Sequence, residues 1–388
     1  MTSTVPGHGR RGFARQLLRS DLVLLAAALI ASGLGAVLVH SATRADAGSA
    51  YLVRHLLNLV IGLLIALAIV RLDRAALRAL APFVYLAGVV GLVLVLTPLG
   101  SEINGSRSWI QVPGGFSIQP SEMAKVGLCV ALPMLLAPAA ERRDRPRPRE
   151  ILLAGLVTAV PVLLVMAQPD LGSALVLVAL ALGVLVVSGA SWPWLAGVLL
   201  AGVAAVVAAF TTPLLSAYQR DRLTAFLDPS ADPLGIGYQT QQVRRAIADG
   251  GWGGQGLHAG DLTSSGAIPF QETDFVFSVA GEELGFVGAA FVVCLLGLVV
   301  ARIALAGTRS DDPFVRLVCW AVASWFAVQS VENLGMNLGL LPVTGLPLPF
   351  LSYGGSSMFA CWAAVGLVVA VTREERSATG RGPVRPRR

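Results

Sequence analysis

Leu22 to Val39, LVLLAAALIASGLGAVLV, runs for eighteen residues without a charge or a proline. Crossing roughly 30 Å of hydrocarbon at about 1.5 Å per residue takes about 20 such residues in a helix, so this stretch reads as a membrane span. Nine more apolar stretches follow, near 55–71, 79–97, 120–137, 151–167, 171–189, 193–212, 274–301, 314–337 and 355–372. The whole chain, 388 residues, is 55% hydrophobic and only 13% charged, which excludes an ordinary soluble domain. The expected fold is an all-α polytopic membrane protein of about ten transmembrane helices.

Arginine sets the orientation. Arg10, Arg11, Arg15 and Arg19 precede the first span, Arg71, Arg74 and Arg78 fill the second connection, Arg142 to Arg149 crowd the fourth, and Arg385, Arg387 and Arg388 end the chain. Positive residues stay on the inner side, so both termini are expected to be cytoplasmic. The same residues account for the net charge of +6 without nucleic-acid binding. Expected divisions are a cytoplasmic tail over 1–21, a membrane domain over 22–373 and a basic cytoplasmic tail over 374–388. Within the membrane domain, 213–273 is expected as a large extracytoplasmic loop between helices 7 and 8. Pro342, Gly345, Pro347, Pro349, Gly354 and Gly355 make a helix impossible near 338–354, and irregular backbone at that depth must be buried in protein or line an aqueous cavity. Cys129, Cys294, Cys319 and Cys361 all fall within spans, so neither a disulfide nor a zinc site is indicated.

Ionisable groups at membrane depth cost roughly 2.5 to 3.5 kcal/mol each on insertion scales, so their positions carry information. Asp274 stands at the outer mouth of the eighth span; Thr273 and Asp274 also fit an N-cap pair. Arg107, Arg220, Arg222, Arg244 and Arg245 break the positive-inside pattern on the outer side and suggest something anionic bound there. Lys125 is the only lysine, three residues after Glu122 on one helix face, where a buried ion pair serves either structure or function. Glu282 and Glu283 lie deeper and suit structural pairing. Trp109 suits an interface anchor or a sugar contact, and Asp170 suits a helix cap. Gly251, Gly253 and Gly256 match G-x-G-x-x-G, but no strand precedes them and the dinucleotide reading is discarded.

Ordered motifs add a family resemblance. They are Asn104-Gly105-Ser106-Arg107-Ser108-Trp109-Ile110, Gln119-Pro120-Ser121-Glu122-Met123-Ala124-Lys125, Gln168-Pro169-Asp170-Leu171-Gly172, Phe226-Leu227-Asp228-Pro229, Gly237-Tyr238-Gln239, Thr273-Asp274-Phe275, Gly281-Glu282-Glu283-Leu284-Gly285, and Leu341-Pro342-Val343-Thr344-Gly345 through Ser352-Tyr353-Gly354-Gly355-Ser356. With these the chain resembles the SEDS family (shape, elongation, division and sporulation proteins) along nearly all ten spans. The family commonly has Pro-Glu-x-His before Thr-Asp; here Pro269-Phe270-Gln271-Glu272 stands instead, and Glu272 would partly substitute.

The resemblance implies an inverting peptidoglycan glycosyltransferase. Its substrates would be lipid II and a glycan strand on undecaprenyl diphosphate, its product a β-1,4 glycan, and its place the bacterial cytoplasmic membrane with the active site on the outer face. Phe350-Leu351-Ser352-Tyr353 leans toward the RodA-type elongation branch over an FtsW-type one. The family's essential aspartate falls on Asp274, a fitting base for an acceptor hydroxyl. Arg107, Lys125 and Arg222, then Arg220, with Asp170 and Trp109, are the expected substrate and diphosphate contacts. Glu122, Gln168, Glu272, Glu282, Glu283 and Tyr353 are the expected supporting residues. A magnesium ion held partly by Asp274 or Asp170 is compatible with the sequence, which has no compact metal motif. A class B penicillin-binding protein is the implied partner. A lipid II flippase and a non-catalytic scaffold are the rival readings.

Overall fold

The computed structural model describes residues 21–103, 106–112, 116–142, 144–211, 219, 222, 224, 226–227 and 235–379. Long helices dominate: α1 Leu22–Ala47, α2 Ala50–Val70, α3 Arg74–Leu96, α4 Pro120–Glu141, α5 Pro148–Met166, α6 Leu171–Val187 and α7 Trp192–Thr211. After them come α8 Ile236–Asp249, the single turn α9 Asp261–Ser264, α10 Val276–Thr308, α11 Pro313–Asn337 and α12 Gly355–Thr379. Among the described residues eight helices are long and apolar enough to cross a membrane, and α6 and α7 are shorter apolar helices at the sixth and seventh expected spans. The chain is thus a multi-pass membrane protein.

Local chemistry sets the starts of these helices. Asp21, Asp73 and Asp312 accept from the first-turn amides of α1, α3 and α11 at 3.1, 2.7 and 2.8 Å, each cap being worth about 1 kcal/mol. Pro120 and Pro313 occupy the first turns of α4 and α11, where no amide hydrogen is needed. At one end of the bundle arginines tie neighbouring helix ends together: Arg74 to Asp312 at 2.6 Å, Arg142 to Glu150 at 2.7 Å and Arg302 to Asp21 at 2.6 Å.

Lipid tails are as apolar as leucine, so close approach and polar bonds hold such helices together. Gly88 of α3 leaves room for Ala124, and Gly127 of α4 for Tyr85; a Cβ on either glycine would sit 3.0 or 2.9 Å from the facing Cα. α4, α11 and α12 form the buried centre, while Phe83, Leu152 and Leu163 stay exposed on the outside of the bundle, as lipid requires.

The end opposite the arginine pairs carries the irregular structure. A three-stranded antiparallel sheet, β1 Gly100–Ile103, β2 Ser106–Val112 and β3 Phe116–Ile118, lies there in the order β1-β2-β3. The expectation of helices and loops alone missed it. Residues 339–354 form no helix, as the prolines and glycines require.

α10 is broken at Gly285, whose φ of 67° lies outside helical space. Loop 250–256 fits into the break. Gln255 and Gly256 donate to the carbonyls of Glu282 and Glu283 at 2.9 and 3.0 Å, and Phe286 donates to Gly251 O at 2.8 Å. A Cβ on Gly285 would stand 2.2 Å from Gly254 N, so glycine is required on steric and conformational grounds. The discarded Gly251-x-Gly253-x-x-Gly256 motif therefore has a packing role: it supplies the backbone partners that the broken helix lost.

Candidate active site

A cavity of about 450 Å³ opens at the loop-rich end. α2 contributes Arg54, Leu57 and Asn58 to its wall, the sheet contributes Ser106, Ser108, Trp109 and Ser117, and Gln119 and Asp170 add polar groups ahead of α4 and α6. Phe270, Thr273 and Asp274 come from the turn before α10, Thr344, Gly345, Pro347 and Tyr353 from the 339–354 segment, and Arg222 closes the ring.

The turn before α10 presents Asp274. The amides of Thr273 and Asp274 both donate to Phe270 O, at 3.2 and 3.0 Å, which folds the chain back just before the helix. Phe275 is the N-cap residue and no side chain caps there, so the reading of Thr273-Asp274 as a capping pair is corrected. The tight turn leaves the Asp274 carboxylate free to face the cavity.

Arg222 and Asp274 converge on Gly345. A Cβ built there would lie 3.5 Å from Asp274 Oδ2 and 3.4 Å from Arg222 Nη2, so the bare backbone of this glycine forms a shelf under a carboxylate and a guanidinium together. Asp274 is half-buried, open to the cavity and crowded elsewhere. Burial raises its pKa to about 6, against the lowering effects of the Thr273 hydroxyl and the Arg222 charge, with Glu272 adding a smaller rise.

The other expected residues divide by position. Trp109, Asp170 and Tyr353 line the cavity. Asp170 also caps α6 through Ser173 N at 3.0 Å and accepts from Gln119 Nε2 at 3.3 Å. Glu272 sits beside the site, its carbonyl accepting from Tyr353 N at 2.8 Å. Gln168 is buried and braces the sheet: its carbonyl accepts from Ser106 Oγ at 2.6 Å and its amide donates to Leu92 O at 3.1 Å. Glu282 accepts from the Leu262 and Thr263 amides of α9 at 2.7 and 2.9 Å, and Glu283 from the hydroxyl of Ser41 in α1, so these bonds tie α10 to its neighbours without a cation. Arg220 lies outside the described residues.

Two expected cations are corrected. Lys125 is wholly buried in the bundle, 2.7 Å from Glu122 Oε1 and 2.9 Å from Gln329 Oε1, and does not reach the cavity. Glu122 is its structural partner. Arg107 is exposed and does not line the cavity, whereas its neighbours Ser106, Ser108 and Trp109 do; the register of β2 against β1 shifts here, with Arg107 opposite Glu102 and Trp109 opposite Ser101. Arg54 takes a cationic place in the wall instead. It obeys the same outer-arginine signal as Arg222 but escaped the reading because the second span was begun at residue 55; α2 starts five residues earlier, at Ala50.

Among the described residues no group of three or more His, Cys, Asp or Glu could hold a metal. The cavity offers separate carboxylates, Asp274 and Asp170, and hydroxyls. Such a set fits magnesium only as a bridge to substrate phosphates, the way that ion is usually bound.

Residues 19–377 match the family model for FtsW, RodA and SpoVE, described as cell cycle protein. A curated relative from Trichlorobacter lovleyi, named "Probable peptidoglycan glycosyltransferase FtsW", is 35% identical over 92% of this chain and 94% of its own length. Another of the same name, from Mycobacterium tuberculosis, is 38% identical over 94% of this chain and 70% of its own. Among solved structures, one described as a peptidoglycan synthase complex coordinating polymerization and crosslinking aligns with TM-score 0.78 at 39% identity, covering 92% of this chain and 98% of that one. The rod shape determining protein RodA of Thermus thermophilus aligns with TM-score 0.68 at 33% identity, over 92% and 97%.

Proposed function

We propose, from the premise that this chain belongs to the FtsW/RodA/SpoVE family of cell cycle proteins, that its cavity joins lipid II units into β-1,4 glycan with Asp274 as the base. The protein is a peptidoglycan glycosyltransferase. One observation supports the mechanism above the rest: a half-buried carboxylate and a guanidinium meet over one shelf at the cavity wall.

The reaction needs two services from the protein. The acceptor's 4-hydroxyl must lose its proton as its oxygen attacks the donor's anomeric carbon, and a carboxylate held near neutral pKa suits that transfer. Undecaprenyl diphosphate leaves with the bonding electrons from the opposite face, giving inversion. That leaving group needs neutralisation, not protonation, and Arg222 and Arg54 supply fixed positive charge in a partly dry site. If magnesium were bound, Asp170 or Asp274 would hold it, and it would supply charge neutralisation for the leaving diphosphate. The hydroxyl-rich sheet wall, with Ser106, Ser108 and Trp109, suits a sugar.

The arginine pairs at one end of the bundle and the cavity at the other favour an active site on the outer face of the bacterial cytoplasmic membrane, and the likeness to a solved peptidoglycan synthase complex that couples polymerization to crosslinking supports a class B penicillin-binding protein as the partner. Phe350-Leu351-Ser352-Tyr353 favours the elongation branch. Transport would call for a site near the midplane between repeated halves, whereas these charges gather at one end.

The test is to supply lipid II to the purified protein with its transpeptidase. The reading expects polymer digestible by a muramidase and release of undecaprenyl diphosphate in step with it. Lipid II moved across a vesicle without polymer would overturn the reading in favour of transport.

A further inference from the structure

One face of α11 carries three amides four residues apart, Gln329, Asn333 and Asn337, all wholly buried. A buried amide needs partners for its donors, and each of these reaches at least one carbonyl on backbone that has left regular structure. Gln329 donates to Pro347 O at 2.8 Å, while its Oε1 accepts from Lys125 at 2.9 Å and from Trp325 Nε1 at 2.7 Å. The two hydrogens of Asn333 Nδ2 go to Leu346 O at 2.7 Å and Asp274 O at 2.9 Å. Asn337 Nδ2 bonds within α11 to Asn333 O at 2.9 Å and Asn333 Oδ1 at 3.2 Å, and adds a longer bond to Asp274 O at 3.2 Å.

Asn333 thus joins two irregular segments with one planar group. One holds Asp274. The other holds Leu346, next to the Gly345 shelf that lies under both the Asp274 carboxylate and Arg222. Neither Asn333 nor Asn337 lines the cavity, so neither touches substrate.

We propose that Asn333 is a positioning residue for the glycosyl transfer. By holding the Asp274 and Leu346 carbonyls on one amide, it fixes the carboxylate over the Gly345 shelf beside Arg222, with Asn337 as the second support. This rests on the reading of Asp274 as the base. Misplacement of a reacting group by about 1 Å costs on the order of 100-fold in rate, and a main-chain tether two bonds from the side chain governs displacements of that size.

The experiment compares polymerisation kinetics of wild type, Asn333→Ala, Asn337→Ala, Gln329→Ala and Asp274→Ala, each complexed with the transpeptidase and normalised to folded protein. Asn333→Ala should lose on the order of 10- to 100-fold in kcat, with KM for lipid II within about two-fold of wild type, the split expected when only transition-state placement is lost. Asn337→Ala should show the same split at less than about ten-fold. Gln329→Ala, which bonds Pro347 and not Asp274, should lose folded yield but retain kcat per folded molecule.

Wild-type kcat in Asn333→Ala, or a raised KM at unchanged kcat, overturns the proposal. So does an equal loss of kcat in Gln329→Ala, which would make the effect general to the buried amides. If Asn333→Ala does not fold, Asn337→Ala decides: a fall in kcat at constant KM supports positioning, and unchanged kcat refutes it. Asp274→Ala separates the two claims, since polymer from that variant ends the reading of Asp274 as base, whereas its inactivity beside a fully active Asn333→Ala ends only the present inference.

Discussion

As the proposed base, Asp274 would work only as an anion, yet the protein around it disfavours the anion. Burial raises its pKa to about 6, and Arg222 with Thr273 keeps it from rising further. The base must be unprotonated to act, so polymerisation should fall as pH drops through about 6, on the acid side of a rate profile. Arg222→Gln removes a lowering influence and should shift that limb upward, besides slowing turnover. A carboxylate whose folded pKa is raised costs the fold stability above that pKa, and the cost disappears as pH falls below its unfolded value. Asp274→Asn should therefore melt higher than wild type at neutral pH while losing roughly 100- to 10,000-fold in activity; a lower melting temperature at pH 7.5 would contradict the account. At this scale the sequence was readable where a charge sat out of place: Asp274 and Arg222 were both visible by that rule. It misled at Lys125 and Arg107, because depth in the bundle and the course of a short, bulged strand depend on neighbours that a single chain position does not reveal.

Helices were legible as elements because apolar length is a one-dimensional signal. The sheet was not. Ser106-Arg107-Ser108-Trp109 alternates over too few residues to separate from a polar loop, and its pairing with Gly100–Ile103 is stabilised by the bundle end it covers. The break in α10 escaped for a similar reason: Gly285 in an apolar run reads as a tolerated glycine until loop 250–256 is seen to fill the gap. Gly285→Ala combines a positive φ with a clash against Gly254 and should reduce folded yield sharply in detergent, whereas Gly155→Ala, with open space around its Cβ position, should not. The Lys125–Glu122 pair gives a second check. Removing one partner of a buried pair costs about 3–5 kcal/mol, while replacing both with apolar residues is often neutral. Lys125→Met alone should lose folded protein, and Lys125→Met with Glu122→Leu should recover much of it; a double variant as unstable as the single would show that the pair does more than neutralise itself.

Across the whole molecule, the labour divides between the two ends of the bundle: arginine-tied helix ends at one, sheet, broken helix and cavity at the other. A membrane-impermeant thiol reagent applied to intact cells should label Trp252→Cys, which is 77% exposed in the loop at the α10 break, and should spare Arg145→Cys at the opposite end. Labelling in the reverse pattern would invert the topology and remove the cavity from its proposed side. The central claim, that this bundle polymerises lipid II through Asp274, is met most directly by one gel: purified protein with its transpeptidase and lipid II, wild type against Asp274→Ala at equal folded yield. The account predicts a ladder of glycan from wild type and none from the variant; ladders of equal intensity from both would contradict it.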